Sequence, residues 1–512
     1  MCGIIASIST MAVGALLVVG SCLISFLVVP GVIENIIISE TVLLNNTIQL
    51  QRFEEVPFAL NFSVRIFNLS NSEEFLEGAT PVMTELGPYV YKLYQTREII
   101  DMEEDIIRYR RHERFEFDTE FSYPYTEDDM VTIINVPYHA ILQVAQREYP
   151  NLASLLYLAM NGIFAEYNSP VATFRVQDLL MKGIPLCKTP GLIGGVACGI
   201  IRGIAENAKN MELQEDGSLL FSALAYKQDA PSGDYEVYRG INDHTNLGHI
   251  ISYNQSPNFT YWEVKEKLSV CNMINGTDSG IYAPLLNRDT HIYAINTDIC
   301  RSVELRYELE TEYNGIPTAR FAANEWLLDN DDGCFCLNHT LGINRYDGCL
   351  LKGALELSTC VGAYLVLSYP HFLFADDAYR NGVIGMNPIE DEHKIFMDIE
   401  PNTGTPVRGY KRAQFNIFAR PVFGIPATAN LSTVLVPFLW VEEGIVLPDE
   451  FVDELTTRLL NSLRLVDILI PVLIAVCCAV FVLGVALTIR FVIDPPKNNT
   501  KPIFIHFSQL GR

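Results

Sequence analysis

Charge is missing from both ends of this chain. No Asp, Glu, Lys or Arg occurs from Cys2 to Val29, and none from Ile468 to Ile489. Each stretch exceeds the roughly 20 apolar residues that cross about 30 Å of hydrocarbon. The two therefore read as membrane spans and together as a hairpin, with both termini on one side. The expected layout is a short cytoplasmic N-terminus 1–6, a span 7–29, a large outer domain 30–467, a span 468–489 and a cytoplasmic tail 490–512. A cleaved signal peptide is the competing reading of the first stretch. It requires a basic n-region, which is absent, and a shorter apolar run, so a retained anchor is expected. Ala475 and Ala479, small residues four apart, are the spacing that lets two spans approach closely.

Basic residues are scarce as well: 36 Lys and Arg stand against 61 Asp and Glu, a net charge of −25. A surface of that sign repels nucleic acid and polyanionic particles at long range, which excludes a nucleic-acid partner. Catalytic signatures are also absent. There is no nucleophile elbow, no His-Glu-x-x-His helix and no phosphate-cradling loop ending in Gly-Lys-Ser/Thr. Gly191, Gly194 and Gly195 lack the strand-to-helix setting of a nucleotide site and are expected in a flexible loop between Cys187 and Cys198. His244 with His249, or Glu390-Asp391-Glu392-His393, assemble a site only on paper; hydrogen-bonded structural histidines are the expectation. No enzyme, metal or cofactor is expected. A two-span channel shares the hairpin topology but calls for charged pore positions within its spans, and there are none.

What the middle of the chain does contain fits an oxidising compartment. Eight Asn-x-Ser/Thr sequons occur there, at Asn45, Asn61, Asn68, Asn254, Asn258, Asn275, Asn338 and Asn430; such sites are used only in a secretory lumen. A ninth, Asn498, falls in the basic tail, whose Arg490, Lys497, Lys501 and Arg512 place it in the cytosol. Of 12 cysteines, Cys2, Cys22, Cys477 and Cys478 belong to the terminal segments, and Cys2 is a candidate palmitoylation site. The others, Cys187, Cys198, Cys271, Cys300, Cys334, Cys336, Cys349 and Cys360, read as disulfides. Spacing alone does not choose the pairing, and Cys334-x-Cys336 has no second close pair to complete a zinc site.

Strand-like runs dominate the middle domain: Phe62–Phe67, Tyr89–Leu93, Ile107–Phe117, Val131–Val136, Ile292–Ile295, Thr318–Phe321, Tyr364–Ser368 and Phe415–Phe423. Gly, Pro, Asn and Asp clusters separate them. Residues 138–163 differ. Ile141, Leu142 and Ala145, then Leu152, Leu155, Leu156 and Ala159, recur at helical spacing, and Pro150 divides them into two short helices with Asn151 as N-cap of the second.

The cysteine-rich region resembles the class B scavenger receptor (CD36) family. The residues that carry the likeness are Tyr261-Trp262-Glu263, Cys271–Asp278, Asp298–Ser302, Cys334-Phe335-Cys336, Tyr369–Leu373, Asn387-Pro388, Asp398–Pro401 with Gly404, and Trp440 before Glu442-Glu443-Gly444. Gly87-Pro88-Tyr89 and the Arg108–Asp118 stretch agree. Asn161–Phe164, Leu179-Leu180 with Gly183, and Val56–Leu60 are similar to the insect sensory neuron membrane protein branch. The resemblance implies the pairs Cys271–Cys334, Cys300–Cys360 and Cys336–Cys349, which leaves Cys187 with Cys198. It implies a mainly β fold with α: a large antiparallel β-barrel ectodomain, a distal helical bundle around 138–163, and two membrane helices.

A hydrophobic tunnel is expected from that bundle towards the membrane, with Leu152, Leu155, Leu156, Ile163 and Tyr167 as candidate lipid-uptake residues. The implied role is a non-catalytic receptor or co-receptor for lipid-like, pheromone-type semiochemicals. Soluble odorant-binding proteins and an odorant receptor complex are its expected partners; a scavenger receptor for fatty acids or lipoproteins is the alternative. Fatty-acid-binding relatives carry lysines just after the corresponding helix. Here Asn161–Thr173 has no Lys or Arg, and Tyr167 stands where a lysine is expected. Burying a carboxylate without a partner is costly, so neutral esters, alcohols or aldehydes are expected, with Arg147 and Arg175 as the remaining partners for an acid.

Overall fold

The computed structural model describes residues 2–150, 153–262, 270–330 and 334–493 and divides into two units. The first joins Met1–Ile37 to Glu450–Arg512; the second is Ile38–Asp449.

The first unit is helical. Helix Cys2–Leu23 runs through a wider turn, Ile24–Val28, into helix Val29–Thr41. The helical path therefore continues past the uncharged stretch to include Glu34 and Glu40. The segments Ile4–Thr41 and Asp449–Ile493 are both long and apolar enough to cross a membrane. They pack backbone to backbone. A Cβ on Gly14 would sit 2.5 Å from the Phe481 Cα, and one on Gly484 2.5 Å from the Met11 nitrogen. Ala475 and Ala479 are exposed instead, a correction with a simple cause: a contact this close leaves no room even for a methyl group.

The second unit is built on a 13-stranded sheet. From one edge to the other its main path runs Ile250–Tyr253, Pro231–Tyr238, Ile106–Phe117, Met83–Met102, Leu60–Leu69, Val434–Val446, Thr405–Ala419, Ile395–Glu400, Ile316–Ala323, Arg301–Tyr313 and Ile292–Asn296. The pairs along it are antiparallel. Leu60–Leu69 lies near the middle and is largely buried, with Asn61, Ser63 and Arg65 alternating with the apolar Leu60, Phe62, Val64 and Ile66. Ile106–Phe117 alternates: Ile107, Tyr109, Glu113 and Phe115 are buried, while Arg108, Arg110, Arg114 and Glu116 are exposed. The period of two places Arg111, between Tyr109 and Glu113, on the inward face.

The expected barrel does not form as a closed ladder, because no strand of one edge pairs with a strand of the other among the described residues. An irregular segment intervenes. The Gly276 carbonyl accepts from Ile250 N (2.8 Å), Thr277 N donates to the Tyr293 carbonyl (3.1 Å), and Ile295 N donates to the Thr277 carbonyl (2.9 Å). Gly276 has φ +85° and its missing Cβ would fall 1.9 Å from the Tyr293 oxygen. A residue so placed cannot continue a regular strand.

Three helices pack together beside the sheet: Val136–Glu148, Ala153–Phe164 and Gly191–Ala205. Asn135 caps the first, its Oδ1 accepting from Tyr138 N, with Pro137 in the opening turn. The chain breaks around Pro150 as the sequence predicts. The third helix replaces the flexible loop expected at Gly191–Gly195. One of its glycines serves packing against the second helix: a Cβ on Gly162 would lie 2.3 Å from the Pro190 carbonyl oxygen and 3.1 Å from the Gly194 Cα. Leu192, Ile193, Val196, Ala197, Ile200, Ile201 and Ile204 recur at the helical period, the signal that outweighs the glycines.

Disulfides join Cys187–Cys198, Cys271–Cys334, Cys300–Cys360 and Cys336–Cys349, with Cα separations of 5.9, 5.3, 5.7 and 5.2 Å. The first ties the third helix to the end of the short strand Ile184–Leu186, where Cys187 N donates to the Ile163 carbonyl of the second helix at 2.8 Å.

Candidate functional site

Between the three helices lies an apolar groove of about 340 Å³. Ile141 and Val144 of the first helix, Leu156 of the second, and Val196, Ile200 and Ile204 of the third line it. Much of that lining is solvent-exposed: Leu192 is 92% and Val196 70% exposed. A narrower cavity of about 60 Å³ shares Ile141, Val144, Ile201 and Ile204 with the groove. It in turn shares Asn210, Phe221 and Leu365 with a third cavity, of about 150 Å³, inside the sheet. Three cavities thus lie in succession from the helices to the sheet interior, each sharing wall residues with the next.

The chemistry changes along that run. The groove is hydrocarbon apart from the Tyr149 hydroxyl, and the narrow part adds only Asn210. The inner cavity is walled by Phe62, Leu305, Phe415, Phe438 and Leu439, but Arg111, Lys227, Lys411, Arg412, Asp298 and Glu443 also line it. These charges are paired. Lys227 Nζ lies 2.7 Å from Asp298 and 3.4 Å from Glu113; Arg111 Nη2 lies 3.2 Å from Glu113 Oε1. Lys411 faces Glu443 at 2.7 Å and Arg412 faces Glu442 at 2.6 Å, as directly opposed residues of adjacent strands. Burial works to raise the Asp298 carboxyl, but Lys227 and Lys209 outweigh it and hold it at about 2. Burial likewise opposes ionisation of Glu443, and Lys411 and Lys227 keep it below the usual carboxylate range.

The candidate uptake residues divide. Leu156 lines the groove. Ile163 is only 1% exposed and belongs to the core. Tyr167 is half-buried, with its ring 4.9 Å from that of Phe174, and neither Ile163 nor Tyr167 lines the groove. Leu152 lies outside the described residues, as do the side chains of Cys2 and Leu155 and the tail sequon Asn498. The third helix supplies the lining that sequence reasoning missed.

Arg147 and Arg175, the remaining candidates for an acid, are engaged. Arg147 donates to the carbonyls of Asn338 (2.8 Å) and His339 (3.0 Å). Arg175 pairs with Asp178 at 2.8 Å and Asp128 at 3.3 Å.

The paper sites among the histidines are structural. His249 Nε2 accepts from Gly276 N at 2.8 Å, and His393 Nδ1 accepts from Ile389 N at 2.9 Å. No group of three or more metal-ligating side chains occurs among the described residues. Of the sequons, Asn45, Asn61, Asn254, Asn338 and Asn430 are exposed, whereas Asn68, Asn258 and Asn275 are half-buried. Asn68 Oδ1 accepts from Thr132 N, and Asn275 Oδ1 faces His249 Nε2.

The comparisons with known proteins agree with this architecture. The sequence profile of the CD36 family matches residues 12–488. Sensory neuron membrane protein 2 of Drosophila melanogaster is 33% identical over 498 residues, 86% of this chain and 89% of that protein. Sensory neuron membrane protein 2 of Heliothis virescens is 35% identical over 430 residues, 81% and 80% respectively. Sensory neuron membrane protein 1 of Pediculus humanus subsp. corporis is 33% identical over 425 residues, 81% and 79%. With a profile match over nearly its whole length, four disulfides and two membrane-length helices at its ends, this chain belongs to the CD36 family.

Proposed function

We propose that the chain is a non-catalytic membrane receptor that captures long, apolar, pheromone-type molecules in the groove between its three helices. The ligand passes along the communicating cavities into the sheet interior and from there to the membrane or a neighbouring odorant receptor complex, after delivery by a soluble carrier. The observation that carries this reading is the run of three cavities joined by shared lining residues. The names of its relatives, sensory neuron membrane proteins, support the setting. Under this reading the termini are cytoplasmic, Cys2 carries a palmitoyl chain, and the sequon-bearing domain faces outward at the plasma membrane.

Uptake is driven by burial of hydrocarbon, about 0.8 kcal/mol per methylene, so affinity rises with chain length before head group matters. The direct test places a charge in the groove. Val196 is 70% exposed, so Val196→Asp leaves folding and surface delivery intact while depressing ligand uptake in cells. Leu156→Asp does the same from the opposite wall. Wild-type uptake by both variants, at normal surface levels, refutes the groove as the site of capture.

A further inference from the structure

Arg111 and Arg97 are directly opposed residues on adjacent strands, yet their circumstances differ. Arg97 is fully engaged: Nε and Nη2 reach Asp278 at 2.8 and 2.7 Å, and Nη1 donates to the Phe53 carbonyl at 2.7 Å. Arg111 reaches Glu113 through Nη2 alone, and its Nε is buried without a hydrogen-bond partner among the described residues. Arg111 lines the inner cavity, at the end of a path whose earlier stretches carry almost no polar atom. A buried donor left unmatched is destabilising, and a ligand oxygen that satisfies it recovers that loss.

The surrounding charge suits such an oxygen. Arg111, Lys209, Lys227 and Lys411 face Glu113, Asp298 and Glu443, and Arg412 is matched by Glu442. The set holds one cation more than carboxylates. Lys209 Nζ donates to the Thr297 carbonyl at 2.8 Å and is not part of the cavity lining. Within the lining, Arg111 Nε and the Tyr282 hydroxyl are buried without a hydrogen-bond partner among the described residues, and of the two Arg111 carries the charge.

We propose that the inner cavity seats the oxygen-bearing end of a long-chain ligand, with Arg111 donating to an acceptor oxygen while the hydrocarbon lies in the apolar part of the run. Arg111 is then a specificity residue: it selects chains that end in a carbonyl or carboxylate over bare hydrocarbon. This rests on the conduit reading above and names the ligand chemistry that reading leaves open.

The test uses the purified full-length protein in lipid nanodiscs, with displacement of the fluorescent probe N-phenyl-1-naphthylamine. The competitors are the alkane, aldehyde, acetate ester and carboxylic acid of one chain length. The wild-type protein binds the oxygenated chains about tenfold or more tighter than the alkane, the worth of one hydrogen bond to a charged donor. Arg111→Met closes that gap. Arg111→Lys keeps the ion pair with Glu113 and retains an intermediate gap, which separates loss of the donor from loss of the fold. Acid binding tightest identifies a carboxylate as the occupant, and aldehyde or ester tightest a neutral carbonyl; both support the seat. Equal binding of alkane and oxygenated chains by the wild type overturns the seat alone. Failure of every competitor, the alkane included, to displace a bound probe overturns the conduit reading with it.

Discussion

Gly162 and Gly195 stand on neighbouring helices in opposite circumstances. A Cβ on Gly162 collides with the Pro190 carbonyl, whereas nothing lies within 4 Å of one on Gly195. Gly162→Ala is expected to destabilise the protein by about 1–3 kcal/mol through overpacking. Gly195→Ala is expected to stabilise it by up to about 1 kcal/mol, the ordinary helix-interior difference. Thermal unfolding of the two variants side by side checks both signs.

Two histidines set an acid limit. Burial lowers the His139 pKa to about 4, and burial with the His371 ring stacked alongside lowers that of His393 to about 4. A base whose folded pKa lies below its unfolded value of about 6.5 takes up protons on unfolding between those limits. Stability is therefore complete above about pH 6.5 and falls as pH drops towards 4. Asp298, held at about 2, adds its own loss only below the ordinary carboxylate range, so the two effects separate on the pH axis. A His139→Gln variant that still folds shows a shallower decline of Tm between pH 6.5 and 4.

At the scale of elements, the helix Gly191–Ala205 decides the groove, and its glycines hid it. Glycine weakens isolated helix, so Gly191, Gly194 and Gly195 read locally as a loop. What overrides propensity is tertiary: Gly194 meets Gly162 at the backbone, and the Cys187–Cys198 disulfide clamps the helix. The bridge closes 11 residues. Its removal as Cys187→Ser with Cys198→Ser is expected to lose about 2–3 kcal/mol, read as a lower urea midpoint, with amides of 191–205 exchanging first.

Strands were easier to foresee, because alternation such as that of Ile107–Phe117 survives in the fold residue for residue. That same alternation already put Arg111 and Glu113 on the inward face. What sequence did not supply was their neighbours. Lys227, Asp298 and Glu443 come from distant stretches and meet only once the sheet has assembled. The distinction between Leu156 and Ile163 was equally out of reach, since both belong to one apolar helical stripe and only packing separates groove from core.

For the whole molecule, the sequons sort by exposure. Glycosylation is expected at Asn45, Asn61, Asn254, Asn338 and Asn430. It is expected to be weaker at Asn68, Asn258 and Asn275, which are half-buried. Glycopeptide mass spectrometry of the secretory-pathway product reads the occupancy site by site. Modification at Asn498 would place the tail outside the cytosol and reverse the topology.

The three residues 275–277 give the large sheet a property that a continuous ladder lacks. Where strands pair along their length, parting them breaks a row of bonds at once. Here, among the described residues, the backbone bonds between the two edge strands run through Gly276 and Thr277, with side-chain bonds to His249 and Ser302 beside them. The sheet therefore has a seam, a line along which an irregular segment stands in place of a strand-to-strand ladder. Such a line, rather than any of the continuous ladders beside it, is where the wall is expected to give first around bulky contents.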